Sequence, residues 1–336
     1  MFKSQAFTGL CLRLCLSLSL TAATLSLTSL SAHAQAQAQA WPSKPIRLVV
    51  PYAAGGPGDV IARWVAKKAG EGLQQTILVD NKGGAGGTIG VDAALKSAPD
   101  GYTFALTAQG PLAGMPNLMK VPYALSDVQY LTLVARGPAV IVVGKKVAAN
   151  SLAELIKLAQ AAPGKLNYGS AGPGTTPHIA AELLKQEAGI DLAHVPYKGA
   201  APAVTGLLSG EIELAVVDLL NVLPHVAAGT LKVLAVASPN RAPQLPDLPT
   251  TKEAGLPGVV MDTTYGVIAP PGVPADIQKK FRDAIVAAMQ APDTKEQLLK
   301  QGVIAMTSTA QEYKAAMQAE FDKWQRVVAK GKITLE

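Results

Sequence analysis

Cysteine is nearly absent from this chain of 336 residues. Its two cysteines, Cys11 and Cys15, both lie near the start. Beyond them the chain can build no disulfide, no thiolate metal site and no cysteine nucleophile. Aromatic residues make up only 5%, which argues against a saccharide ligand, because sugar sites need ring platforms to stack on. Histidine is scarce too. His178, His194 and His225 form no H-x-x-x-H pair and have no acid cluster beside them in the sequence, so no metal site is expected. The formal charge of +6 is spread along the chain without a basic block, which excludes nucleic acid as a partner.

Apolar residues are plentiful, at 49%, enough for a sizeable core in one large or two medium domains. Some of them are not core. Lys3 and Arg13 precede an apolar run from Leu14 to Leu30, broken by Ser and Thr and followed by the small-x-small triplet Ala32-His33-Ala34. This pattern predicts a signal peptide over residues 1–34, cleaved near Ala34, and a mature protein in a bacterial periplasm. An uncleaved anchor is the alternative. Leu10 and Leu14 stand where a lipobox would place small residues before Cys11 and Cys15, so no lipid anchor is expected. Gln35 to Ala40 alternates Gln and Ala as a leader before Trp41-Pro42.

The most informative stretch runs from Ile46 to Arg63. Ile46 to Val50 is short, apolar and mostly β-branched, and Pro51 closes it: a buried strand. Asp59 is a candidate N-cap for a helix with Val60, Ile61, Trp64 and Val65 on its apolar face and Gly70 and Gly72 as stops. Between strand and helix, Gly55, Gly56 and Gly58 let the backbone approach a ligand closely. The first N–H groups of the helix lack partners within it and sit at its positive end, so the loop favours an anion. An ordinary tight βα turn fits the same residues.

The motif recurs. Thr76 to Val79 reads as a second strand, followed by Lys82-Gly-Gly-Ala-Gly-Gly-Thr88 and a short helix from Ile89 to Leu95 with Thr88 as its cap. Tyr102 to Thr107 is a third strand, after the turn Pro99-Asp-Gly101. Val140 to Val143 is another, and Ser151-Leu-Ala-Glu154 is a capping box opening a helix that runs to Pro163-Gly164. Leu166 to Tyr168 leads into Gly169-Ser-Ala-Gly-Pro-Gly-Thr-Thr176 and a helix from Pro177, the third strand, glycine loop and helix in series. His194 to Gly199 suggests a strand and turn; Ile212 to Val217, Val233 to Val236 and Thr264 to Ala269 are further strands. The C-terminal part is helical, from Ala275 to Met289, near Leu298, and from Gln311 to Val328 behind the capping box Thr309-x-x-Glu312. Tyr313, Met317, Trp324 and Val328 form its core stripe. Loops at the carboxyl edge of a parallel sheet are where open α/β sheets bind ligands.

Catalytic constellations are missing. Ser170 fails the nucleophile-elbow pattern because Tyr168 stands where its first glycine belongs. No Walker lysine follows a glycine loop, and the dinucleotide fingerprint around Gly56 and Gly58 fails at Ile61. Neither an enzyme nor a cofactor is expected. His178, in the first turn of its helix, is placed to donate to a ligand or to bond locally, while Asp218, ending a buried strand, is placed to accept from a ligand or cap the next turn.

In chain order, Pro51-Tyr-Ala-Ala-Gly-Gly-Pro-Gly-Asp59, Asn81-Lys-Gly-Gly-Ala-Gly-Gly87, Pro99-Asp-Gly-Tyr102, Leu166-Asn-Tyr-Gly-Ser-Ala-Gly172 and His194-Val-Pro-Tyr-Lys-Gly199 are similar to motifs of the tripartite tricarboxylate transporter solute receptors, the Bug family. The resemblance covers Trp41 to Lys330. It implies two Rossmann-like α/β domains with a ligand cleft between them, the type II periplasmic binding protein fold. Residues 41–143 and 265–336 would form domain 1 and residues 144–264 domain 2. It also implies a monomeric receptor that closes on a small organic carboxylate and hands it to membrane permease subunits. That ligand would be an aliphatic dicarboxylate, a tricarboxylate, an acidic amino acid or an aromatic acid. A sensing receptor for a signalling partner and an exported enzyme are the alternatives. Carried onto this sequence, the ligand-binding set is Tyr52, Gly55, Gly56, Gly58 and Asp59 in the first loop and Gly84 and Gly86 in the second. Ser170, Gly172, Thr175, Thr176 and His178 belong to the third, with Tyr197, Lys198 and Asp218 facing them and Thr107 and Gln109 reading the far end of the ligand. Gly58 stands where many members carry Thr or Ser, and Lys82 replaces a frequent Arg, keeping charge without bidentate geometry.

Overall fold

The computed structural model describes residues 41–334. The signal peptide, its cleavage near Ala34 and the leader to Ala40 lie outside the described residues. Strand β1 (Ile46–Val50) is buried except at Arg47, and it opens through the glycine loop into helix α1 (Pro57–Leu73). The helix begins earlier than Asp59. Gly56 occupies the N-cap and Pro57 the first turn, where its missing N–H would have had no partner in any case. Asp59 is instead a buried first-turn carboxylate, accepting from the Gly55 N–H at 3.0 Å and from Arg63 Nε at 3.0 Å. The helix also runs through Gly70 and Gly72 to a left-handed Gln74. Gly70 has a packing reason: a Cβ there would lie 2.9 Å from the Gln75 carbonyl oxygen.

Strand β2 (Ile77–Asn81), helix α2 (Thr88–Leu95) and strand β3 (Thr103–Ala108) follow, and β1 pairs in parallel with both β2 and β3. Thr88 is the first residue of α2 rather than its cap; Gly87, at φ 99°, holds the cap position. Strand β4 (Gln129–Gly144) is 16 residues long, far longer than the four expected from the apolar run, because Gly137-Pro138 in its middle masks its continuity.

The second series is helix α3 (Leu152–Ala161), strand β5 (Asn167–Ser170), helix α4 (Thr176–Ala188), strand β6 (Ala193–Pro196), helix α5 (Ala200–Ser209), strand β7 (Leu214–Asp218), helix α6 (Leu219–Ala227) and strand β8 (Leu231–Val236). Helices α5 and α6 carry weak sequence signals: α5 starts Ala-Ala-Pro-Ala without a capping side chain, and α6 is nine residues long with Pro224 inside. The chain ends through strand β9 (Asp262–Ala269), helices α7 (Ala275–Gln290) and α8 (Pro292–Lys300), the short strand β10 (Ile304–Ala305) and helix α9 (Ala310–Gly331).

The strand order is β2-β1-β3-β9-β4-β7-β5-β6, with β8 and β10 also paired to β4. Strand β4 serves two sheets. Its residues Gln129 to Pro138 pair antiparallel with β9, and Ala139 to Val143 pair antiparallel with β7. Helix α9 also spans two cores. Its capping box is formed as expected; Tyr313 and Met317 pack with Val49, Val91 and Ile268, whereas Trp324 and Val327 pack with Tyr168 and Leu184. Val327 rather than Val328 takes the inward position, and Val328 packs at the margin. Among the described residues, no helix is long and apolar enough to cross a membrane.

Candidate ligand-binding site

Four helix starts converge on one cavity. Tyr52, Gly56 and Gly58 reach it from the loop and first turn of α1; Thr175, Thr176 and Pro177 from the start of α4; Gly199, Ala200 and Ala201 from the start of α5; Asp218 and Asn221 from the start of α6. Ala108 and Gly110, past the end of β3, and Thr263 and Tyr265 of β9 complete the lining that the chemistry below uses. Among the described residues, no lysine, arginine or histidine lines it. A negative charge in this cavity would be met by helix N-termini and neutral donors, which suit an anion without a cationic side chain.

Two polar atoms in the wall are left over. Thr176 Oγ1 and Asn221 Nδ2 are buried and have no hydrogen-bond partner among the described residues. Buried polar groups are normally paired, so both have capacity for a ligand or an ordered water. The other polar groups are engaged. Tyr52 Oη accepts from the Ala108 N–H at 3.2 Å, and burial pushes its phenol up to about 12. Asp218 Oδ1 accepts from Thr263 Oγ1 and Oδ2 from Tyr265 Oη, each at 2.5 Å. Burial pushes the Asp218 carboxyl up to about 7, against the opposing effect of those two hydroxyls.

Of the residues expected to bind, Tyr52, Gly56, Gly58, Thr175, Thr176 and Asp218 line the cavity. The others are placed behind it or elsewhere. Gly55, at φ 81°, gives its N–H to Asp59, whose carboxylate turns toward its own helix and Arg63. The second glycine loop packs against its neighbours: a Cβ on Gly84 would meet Ile89, and one on Gly86 would stand 2.7 Å from the Pro173 carbonyl oxygen. Thr107 is buried and donates to the Ala108 carbonyl at 3.3 Å. Gln109 is a latch between chain segments: Nε2 donates to the Asp262 carbonyl at 2.7 Å, and Oε1 accepts from the Thr264 N–H at 2.5 Å and its hydroxyl at 2.6 Å.

Ser170, Gly172 and His178 belong to a buried network beneath the third loop. Ser170 Oγ accepts from the Gly172 N–H at 3.1 Å and lies 2.7 Å from His194 Nε2. His178 Nδ1 accepts from the Gly174 N–H at 3.2 Å, and its ring stacks on His194 with centroids 4.4 Å apart. Burial pulls His178 down to about 3 and His194 to about 4, so both imidazoles are neutral at pH 7. Although a serine and an imidazole meet here, Ser170 is wholly buried and lies off the cavity wall. Tyr197 lies against Gly169 and Gly206 below α5, and Lys198 is exposed.

Asn221, Thr263 and Tyr265 were not among the residues expected to bind. The unexpected helix α6 hides the first. The other two alternate with Thr264 along β9, which the sequence marks as a strand only from Thr264 and without a ligand role, although period-two alternation puts Thr263 and Tyr265 on one face. Among the described residues no group of three His, Asp or Glu side chains is placed to hold a metal ion.

Glycine loops and helix N-termini gathered around one cavity, on sheets sharing a long strand, define the fold of the periplasmic solute-binding proteins. The chain belongs to the tripartite tricarboxylate transporter family of receptors, whose family model matches residues 61–333. It is 34% identical over 291 residues to the protein BugT of Bordetella pertussis, covering 86% of this chain and 89% of BugT. Its structure is similar to that of an R. palustris protein solved with adipate, at a TM-score of 0.85 and 32% identity over 88% of this chain and 99% of that one. MatC of Rhodopseudomonas palustris, solved with bound malate, gives a TM-score of 0.82 and 28% identity over 86% of this chain and 100% of that one.

Proposed function

We propose that this protein captures a small organic carboxylate in the periplasm and delivers it to the membrane subunits of a tripartite tricarboxylate-type transporter, without catalysing a reaction. One observation carries the reading: four helix N-termini and two unpaired polar atoms, Thr176 Oγ1 and Asn221 Nδ2, meet in a cavity lined by no cationic side chain. Such a wall rewards a group that accepts many hydrogen bonds, which a carboxylate does. The relatives solved with adipate and malate, both carboxylates, support it. The apolar remainder, built from the Tyr52 ring and small alanines, fits a short carbon skeleton.

The test is a thermal-shift screen of the chain from Gln35 against aliphatic dicarboxylates, tricarboxylates, acidic amino acids and aromatic acids, with neutral sugars as controls. A ligand at a hundred times its Kd stabilises by about 2.7 kcal/mol. Shifts confined to carboxylates are expected; shifts with sugars and none with acids would refute the reading.

A further inference from the structure

We propose that Asp218 takes part in ligand capture as a carboxylic acid, donating its proton to the bound carboxylate, so that capture takes up a proton from solution wherever the empty site is ionised. The proposal rests on the carboxylate reading above and assigns a role to the one acidic side chain in the cavity wall.

The argument begins with a count of charges. Among the described residues, Asp218 is the only carboxyl group lining the cavity, and no cationic side chain lines it. Only 4% of its surface is exposed. A ligand carboxylate entering the same cavity therefore sets two acids together in a space lined by no cationic side chain. Carboxyl pairs of that kind do not both stay ionised; one holds a proton and donates it to the other.

The surroundings of Asp218 do not supply a cation from another side. From β9 it meets the hydroxyls of Thr263 and Tyr265, while Asp262, which disfavours its ionisation, is engaged at 3.4 Å by Arg136 of β4. Also from β4, Gly137 leaves so little room that a Cβ would stand 3.2 Å from the Asp218 carboxyl carbon. Tyr52 contributes a neutral phenol, and Asn221, on the helix that Asp218 begins, a neutral amide. The two hydroxyls bound to Asp218 can each accept as well as donate, so they do not lock it in the ionised form. Burial already brings this carboxyl to about 7 in the empty protein. A second anion beside it raises it further, and linkage then makes the ligand bind with a proton wherever the empty site is ionised.

The inference separates ligand classes. Acids without a positive group gain a donor from the protonated Asp218, whereas an amino acid can neutralise ionised Asp218 with its ammonium group and needs no proton.

The experiment is isothermal titration calorimetry with adipate, malate, benzoate and glutamate from pH 6 to pH 8.5, in phosphate and in Tris. These buffers differ in ionisation enthalpy and so report protons taken up. For an acid lacking an ammonium group, Kd should be nearly flat below pH 7 and rise about tenfold per pH unit above it, with uptake approaching one proton. Asp218→Asn, a neutral donor of the same shape, should bind the same acid with a pH-independent Kd. The wild-type proton count keeps the test decisive if that variant does not fold. Binding of such an acid with no proton uptake and no change in Kd up to pH 8.5 would overturn the proposal while leaving the carboxylate reading intact. Glutamate binding that strengthens with pH, with no other acid bound, would overturn it too. Failure of every acid to bind across the pH range would sink both readings.

Discussion

Acid should destabilise this protein through His178, and the size of the effect follows from its burial. The ring is 3% exposed, stacked on His194 and holding the Gly174 N–H on Nδ1. Folding lowers its pKa from 6.5 to about 3, chiefly by desolvation, with His194 and Lys185 adding repulsion. A histidine with a lowered folded pKa contributes stability that is fully present above its unfolded value and is lost as pH falls toward the folded one. At pH 4 the unfolded ring is charged and the folded ring is not. Roughly 2.5 pH units at ~1.4 kcal/mol each makes that loss ~3 kcal/mol relative to pH 7. His194 acts in the same direction but is partly exposed, so solvent screening reduces its share. Asp218 acts in the opposite direction: its raised pKa gives stability present below about pH 4 and lost as pH rises through about 7. A comparison with His178→Asn, whose amide oxygen can still accept from Gly174, cancels the contribution of Asp218. Urea unfolding at pH 7 and pH 4 should show the variant losing ~3 kcal/mol less than wild type over that interval. Equal losses in the two proteins would refute the buried neutral imidazole.

Asn221→Leu and Thr176→Val replace unpaired buried atoms with apolar groups of similar shape, so the empty protein should keep its stability to within about 1 kcal/mol. Carboxylate affinity should nevertheless fall about tenfold or more in each, measured by calorimetry, because a hydrogen bond to a charged ligand is worth about 1.5–3 kcal/mol. Gly174→Ala places a Cβ 1.9 Å from Met115 Sδ at φ +69°, whereas Gly189→Ala places one in open space at φ +62°. Chemical denaturation should show the second losing about 1 kcal/mol, the left-handed backbone cost, and the first losing clearly more. Similar losses would mean that the third loop is not packed on Met115.

Much of the βα framework was legible because its signals are local. Short β-branched runs before glycine loops marked β1 and β2, the glycine-rich loop from Gly169 marked the end of β5, and the Thr309 capping box marked α9. The paired use of β4 was not, because a strand that changes partners in mid-course leaves only a glycine and a proline in the sequence. Helices α5 and α6 were missed because Gly199 offers α5 no capping side chain, and α6, although Asp218 stands at its N-cap, is short and carries Pro224 inside. The cavity was half legible. Glycine loops at strand ends pointed to Tyr52, Gly56, Gly58 and the Thr175-Thr176 pair, and a terminal acid on a buried strand pointed to Asp218. Sequence could not separate glycines that face the cavity from Gly84 and Gly86, which are needed for close packing. Nor could it show that Gln109 spends its amide on joining β9 to the chain after β3.

The sharing of β4 and the late position of β9 also govern the order in which the chain can fold. Strand β3 finds its antiparallel neighbour only when residues 262–269 are available, and the cores on both sides wait for α9, which ends at Gly331. Contacts of such long sequence separation form slowly, and the first half of the chain alone leaves an open sheet edge and an uncovered apolar face. An N-terminal segment emerging alone therefore lacks the partners that close its sheet and cover its core until the last helix has appeared.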